Sequence, residues 1–159
     1  MAPTRIEWLQ RVPVFGGLRE ESLRFLLELT RSVQVPRGEF FFREGDPASA
    51  MFVLESGAAA VVKGATEHSV ELRRFEAGDC FGEMALMDLF PRSASVRALS
   101  DCAAIELGPA DLHRLYELDP SQFALIQMNI GREVCRRLRA ADELLFQARL
   151  REATPPPSR

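Results

Sequence analysis

A segment from Asp79 to Val96 gathers residue types that could hold an anion. Its order is Asp79-Cys80-Phe81-Gly82-Glu83-Met84-Ala85-Leu86-Met87-Asp88-Leu89-Phe90-Pro91-Arg92-Ser93-Ala94-Ser95-Val96. Gly82 permits a close backbone approach, residues 83–87 favour one short helical turn, and Pro91 ends the excursion before extended chain resumes near Ser95. The start of a helical turn is rich in free N–H groups, and an arginine a few residues later supplies the charge that a bound phosphate requires. From the residues alone two readings stay open for Glu83 and Arg92: an anion site, or an ordinary ion pair on a surface loop.

Other chemistries find little support. Cys80, Cys102 and Cys135 are an odd number at wide spacing, and no pair has the C-x-x-C separation of a zinc site. His68 and His113 stand apart from each other and from the cysteines. There is no P-loop string, no G-x-G-x-x-G and no G-x-S-x-G elbow. The residues therefore predict neither a metal site nor an enzyme. The thiols read as reduced and packed, which fits the cytoplasm.

The 159 residues are 47% apolar and 27% charged, enough for one globular core. A formal net charge of -3 gives no global basic field that would call for DNA, RNA or an anionic membrane. The longest apolar runs, such as residues 58–62, fall far short of the roughly 20 residues a spanning helix needs. The N-terminus interleaves acid and base where a signal peptide would be continuously apolar, so an intracellular, cytoplasmic chain is expected.

Three regions must position the segment. Apolar spacing predicts short amphipathic helices over residues 1–30, broken at Phe15-Gly16-Gly17. Residues 31–108 show short apolar or alternating runs at 33–35, 40–42, 51–54, 58–62, 70–75 and 103–107, parted by Gly-containing turns. That rhythm predicts an antiparallel β-barrel or jelly roll, making the fold class α+β. Beyond Gly108-Pro109 a short helix precedes a long one, N-capped by Asp119, opened by Pro120 and running to about Arg151. Residues 1–153 thus form one domain, and the Pro-rich tail 154–159 is expected to be disordered.

The segment 79–96 resembles the phosphate-binding cassette of the cyclic-nucleotide-binding domain family, whose pattern is F-G-E, small or apolar residues, a short loop, then P-R-x-A-[ST]. The match is ungapped, and Gly38 to Asp46, Met51 to Gly57 and Val14 to Leu18 are similar to the family's early strands and N-terminal turn. The resemblance spans about residues 9–150. It implies that Arg92 pairs with the exocyclic phosphate oxygens and that Glu83 accepts a hydrogen bond from the ribose 2′-hydroxyl. The amides of Gly82, Ala85 and Ala94 with the Ser93 hydroxyl would complete the cradle. Phe81, Met84 and Leu86 read first as core, although Met84, between Glu83 and Ala85, is counted with the candidate contacts.

Ser93 stands where cGMP-selective relatives commonly carry threonine, so cAMP is the favoured ligand and cGMP the second candidate; no further cofactor is implied. In cAMP-binding bacterial activators of the family a Thr-Ser pair on the long helix meets the adenine. The matching positions here are Ala141 and Asp142, so the base lid is expected from Leu138, Ala141, Asp142 and Leu145, mainly through apolar contact. No helix-turn-helix domain follows the long helix, so no DNA binding is expected. Its arginines, Arg132, Arg136, Arg137, Arg139, Arg149 and Arg151, read as a solvated face. Val134, Leu138, Ala141 and Leu145 recur at coiled-coil spacing, either as a seam against a second copy or as a face packed on the chain's own barrel. The expected role is a stand-alone cyclic-nucleotide sensor signalling through its C-terminal helix to an effector protein; the alternative is a ligand-free scaffold of the same fold.

Overall fold

The structure, a computed structural model, describes residues 1–65 and 67–153; the expectation for the tail lies outside them. Helix α1 (Arg5–Gln10) starts at Thr4, whose Oγ1 accepts from the Glu7 amide while the Thr4 amide donates to Glu7 Oε2 at 2.7 Å. This reciprocal pair satisfies two otherwise orphaned donors. A 3-10 turn, Pro13–Phe15, and helix α2 (Glu20–Leu29) follow.

Among the described residues, eight strands form two antiparallel four-stranded sheets. They are β1 (Arg31–Val35), β2 (Phe40–Phe42), β3 (Met51–Ser56), β4 (Ala59–Lys63), β5 (Val70–Phe75), β6 (Cys80–Phe81), β7 (Ser95–Ala98) and β8 (Cys102–Leu107). One sheet has the order β1-β8-β3-β6, the other β2-β7-β4-β5. This is the jelly roll that the turn rhythm predicts. The strand β6 has only two residues, too few for an alternating pattern to announce it.

Strand β3 shows why its run of four apolar residues is unbroken. Met51 and Val53 point to a helical layer with Leu9, Phe15, Leu23, Leu115, Ile126 and Ile130, while Phe52 and Leu54 point into the barrel with Phe75, Phe81 and Val96. With both faces covered, alternation disappears. The helical layer thus welds the N-terminal helices and the first half of the last helix to one side of the barrel.

Helix α4 (Pro109–Leu118) begins with proline, and the Gly108 amide donates to Asp111 Oδ2 at 2.8 Å. Helix α5 (Pro120–Ala153) has 34 residues, roughly 51 Å at the standard rise. Asp119 Oδ1 accepts from the amides of Ser121 and Gln122, as an N-cap should. Asn129 pins the helix to the N-terminal turn by donating to Val14 O and Gly16 O at 3.1 and 2.9 Å. From Leu138 to Ala153 every residue of α5 is exposed. Among the described residues no helix is long and apolar enough to cross a membrane.

Candidate functional site

The segment 79–96 bridges the two sheets. It leaves one sheet at β6, where Phe81 and Cys80 pair with Phe52 and Val53, and enters the other at β7, where Val96 pairs with Val61. Between them α3 (Met84–Met87) forms a single helical turn. Each end is therefore fixed by a ladder of hydrogen bonds, and the loop between hangs over the barrel mouth. A cavity of about 660 Å³ opens there, within the usual range for small-molecule sites.

Gly82, Glu83, Met84, Ala85, Arg92, Ser93 and Ala94 all line this cavity. Gly82 has φ +74°, and a Cβ on it would fall 2.7 Å from Arg92 Nη1 and 3.2 Å from Ala50 O. Only glycine lets the backbone turn left-handed this close to the guanidinium.

Arg92 is 8% exposed. Its backbone is locked to a turn of the β2–β3 connection, with Gly45 N donating to Arg92 O at 2.8 Å and Arg92 N to Asp46 O at 2.9 Å. Its guanidinium lies 3.9 Å above the Phe42 ring and donates to Ala50 O at 2.6 Å and Gly82 O at 3.2 Å. No carboxylate forms an ion pair with it among the described residues, and its Nε is buried without a partner. Burial pulls the guanidinium pKa below its ordinary value, with Asp46, Glu83 and Glu106 opposing from a distance. A desolvated cation without its own anion is costly, and an anion in the cavity would repay that cost.

Glu83 is 5% exposed and is held from the far helix. Arg137 Nη1 on α5 donates to Glu83 Oε1 at 2.7 Å, Arg137 Nη2 donates to Cys80 O, and Arg137 Nε lies 3.2 Å from Glu133 Oε1. The guanidinium also sits 5.1 Å from the Phe75 ring centroid. Burial pulls its pKa down, but Glu83, Cys80 and Glu133 more than restore it, so the net shift is upward. Glu83 Oε2 is left buried with no partner, an acceptor free for a hydroxyl donor. Burial pushes the neighbouring Cys80 thiol up to about 12, which makes it inert near neutrality.

The structure departs from the sequence reading in three places. Arg137 belongs to the site and not to a solvated face: its side chain is 16% exposed. Its signal was hidden among five other arginines of α5, since helical rotation alone sets it apart. The α5 residues lining the cavity are Arg137, Ala141 and Leu144, an i, i+4, i+7 stripe. Leu138, Asp142 and Leu145 are not among the lining residues, because each lies one position, about 100° of helix, past that stripe. Leu138 and Leu145 are 61% and 56% exposed. Finally, the Ala85 amide, expected to face a phosphate, instead closes the turn onto Gly82 O at 3.2 Å. Ser93 is braced from outside, its carbonyl accepting from Lys63 Nζ at 2.6 Å, and Lys63 also pairs with Glu44 at 3.0 Å.

Comparison with known proteins adds to this geometry. The family model of the cyclic nucleotide-binding domain matches residues 32–119. The cAMP-dependent protein kinase regulatory subunit of Emericella nidulans is 35% identical over 108 residues, which cover 68% of this chain and 26% of that protein. The chain thus spans about a quarter of the length of that relative. The catabolite activator protein of Thermus thermophilus superposes with a TM-score of 0.76 at 30% identity, covering 89% of this chain and 65% of that one. A cyclic nucleotide-binding domain from Methylobacillus flagellatus shares the fold, with a TM-score of 0.78 at 23% identity over 89% of this chain and 85% of its own.

Proposed function

This chain belongs to the cyclic nucleotide-binding domain family, and from that premise we propose that its cavity holds one cyclic mononucleotide, with cAMP the favoured ligand. The observation that carries the reading is Arg92: a buried guanidinium facing the cavity with no ion-pair partner among the described residues. A phosphodiester monoanion supplies the missing charge, and the free donor on Arg92 and free acceptor on Glu83 suit a phosphate oxygen and a ribose hydroxyl. The names of the Emericella and Thermus relatives, a cAMP-dependent kinase regulatory subunit and a catabolite activator, support a regulatory binding module over a catalyst.

The signal leaves through α5. Arg137 ties that helix to Glu83, so a ligand hydroxyl competing for the carboxylate alters the hold on the helix. Away from the cavity stripe, Leu138, Leu145, Phe146 and Leu150 are exposed, apolar side chains suited to an effector protein or to a second copy of this chain. Against the scaffold alternative stand two buried groups whose polar atoms a scaffold has no reason to leave unpaired.

The test is a titration of parent and variants with cAMP. Arg92→Ala should weaken binding roughly 30-fold to several-thousand-fold, the ~2–5 kcal/mol typical of truncating a buried charge pair. Glu83→Ala should weaken it less and narrow the gap between cAMP and its 2′-deoxy analogue. Arg92→Ala binding as tightly as the parent would sink the assignment.

A further inference from the structure

The arm of the cassette that follows Pro91 is tied down through its carbonyls. Arg92 O accepts from the Gly45 amide at 2.8 Å, and Ser93 O accepts from Lys63 Nζ at 2.6 Å. Lys63 ends β4 and is not among the residues that line the cavity. Its ammonium also pairs with Glu44 Oε1 at 3.0 Å. Glu44 Oε2 accepts from the Gly64 amide at 3.1 Å, and the Glu44 amide donates to Ser95 Oγ at 2.9 Å. The Gly64 amide and then Lys63 hold the Glu44 carboxyl below its ordinary pKa, so it stays ionised at neutral pH. Glu44 after β2, Lys63 on β4 and Ser95 on β7 thus form one clamp behind the arm.

A trans peptide carries its C=O and its N–H on opposite sides. With the Ser93 carbonyl drawn to Lys63, the N–H of the same peptide, that of Ala94, is turned away from Lys63. Ala94 lines the cavity and is 8% exposed, and among the described residues neither its N–H nor that of Ser93 has a hydrogen-bond partner. Buried amides without an acceptor are rare, and successive free amides beside a guanidinium suit an anion. Rotation of the Ser93–Ala94 peptide would exchange donor for acceptor and set a carbonyl oxygen against a bound phosphate.

We propose that Lys63 is a positioning residue for the phosphate: it holds the Ser93 carbonyl outside the cavity and so keeps the Ala94 amide available to one of the two exocyclic oxygens. This rests on the cyclic-nucleotide reading above and adds to it a residue that touches no ligand atom. The Lys63 side chain is 52% exposed, so solvent and salt screen its direct pull on an anion in the cavity. Its effect passes through the peptide it orients.

The test measures dissociation constants of the full chain for cAMP and for its two phosphorothioate diastereomers, in which sulfur, a poor acceptor, replaces one exocyclic oxygen or the other. Lys63→Met should weaken cAMP binding roughly tenfold, the scale of one hydrogen bond to a charged group. It should also move the affinity ratio of the two diastereomers by about threefold or more, because only one of them carries sulfur where the Ala94 amide points. Loss of a distant positive charge, or of folded protein, weakens both diastereomers alike and leaves that ratio still. Lys63→Arg keeps a cationic donor and should bring both readouts back to within about threefold of the parent. A diastereomer ratio or a cAMP affinity held within about threefold in Lys63→Met, or Lys63→Arg behaving as Lys63→Met does, overturns the proposal. A parent that binds none of the three ligands overturns the cyclic-nucleotide reading and this inference with it; a parent that binds them without dependence on Lys63 overturns this inference alone.

Discussion

Removing Arg137 should destabilise the ligand-free protein far more than removing any other arginine of α5. Arg137 is 16% exposed and Glu83, its partner at 2.7 Å, 6% by side chain. In Arg137→Ala, Glu83 loses the group paired with Oε1 while Oε2 is already unpartnered, Cys80 O loses a donor, and Phe75 loses its cation. Breaking a buried pair by removing one partner costs ~3–5 kcal/mol, and the open cavity, which admits water to the stranded carboxylate, lowers that to ~2–4 kcal/mol. At ~2–4 °C per kcal/mol for a chain of this size, Tm should fall by about 4–16 °C. Because the penalty comes from the stranded charge, Glu83→Gln combined with Arg137→Met should recover most of the loss. Thermal and urea unfolding of parent, single and double variants close the cycle. A fall of less than about 2 °C in Arg137→Ala, or single-variant effects that add within about 0.5 kcal/mol, would refute the reasoning.

Gly82→Ala should cost about 1–2 kcal/mol in backbone strain and weaken cAMP binding at least roughly tenfold, because its Cβ displaces Arg92; Gly38→Ala, with φ +88° and open space around it, should carry only the backbone cost. Calorimetry on both checks this, and a Gly82→Ala protein that binds like Gly38→Ala contradicts it. Iodoacetamide on the folded protein should modify exposed Cys135 first, while Cys80 and Cys102, both buried and with pKa values raised first by burial, should react only on unfolding. Peptide mass spectrometry reads the order, and early labelling of Cys80 would show that the site opens in the folded state.

How much of this was legible in the sequence depends on how far apart the cooperating residues lie. The cassette could be read because Glu83 and Arg92 are nine positions apart on one loop, with Gly82 just before them and Pro91 between them to shape it. The jelly roll could be read because turn glycines such as Gly45, Gly57 and Gly78 take positive φ where the spacing requires a reversal. Arg137 could not be: it reaches Glu83 across 54 positions, and nothing local separates it from Arg136. Of the expected lid, Ala141 lines the cavity while Leu138, Asp142 and Leu145 fall one residue off its stripe, because the spacing of Leu138 and Leu145 fits a seam as well as a lid and the rotation of α5 is set by buried residues such as Ile126, Asn129 and Ile130.

The most direct test of the central claim is a calorimetric titration of the intact chain with cAMP and cGMP, with adenosine 5′-monophosphate as the acyclic control. The account predicts saturable binding of a cyclic nucleotide at one site per chain, centred on Arg92 and Glu83, and much weaker binding of the acyclic control, whose dianionic phosphate lacks the ring that the cassette encloses. Absence of heat and of any thermal stabilisation with millimolar-range cyclic nucleotide would contradict it and leave the scaffold reading in its place.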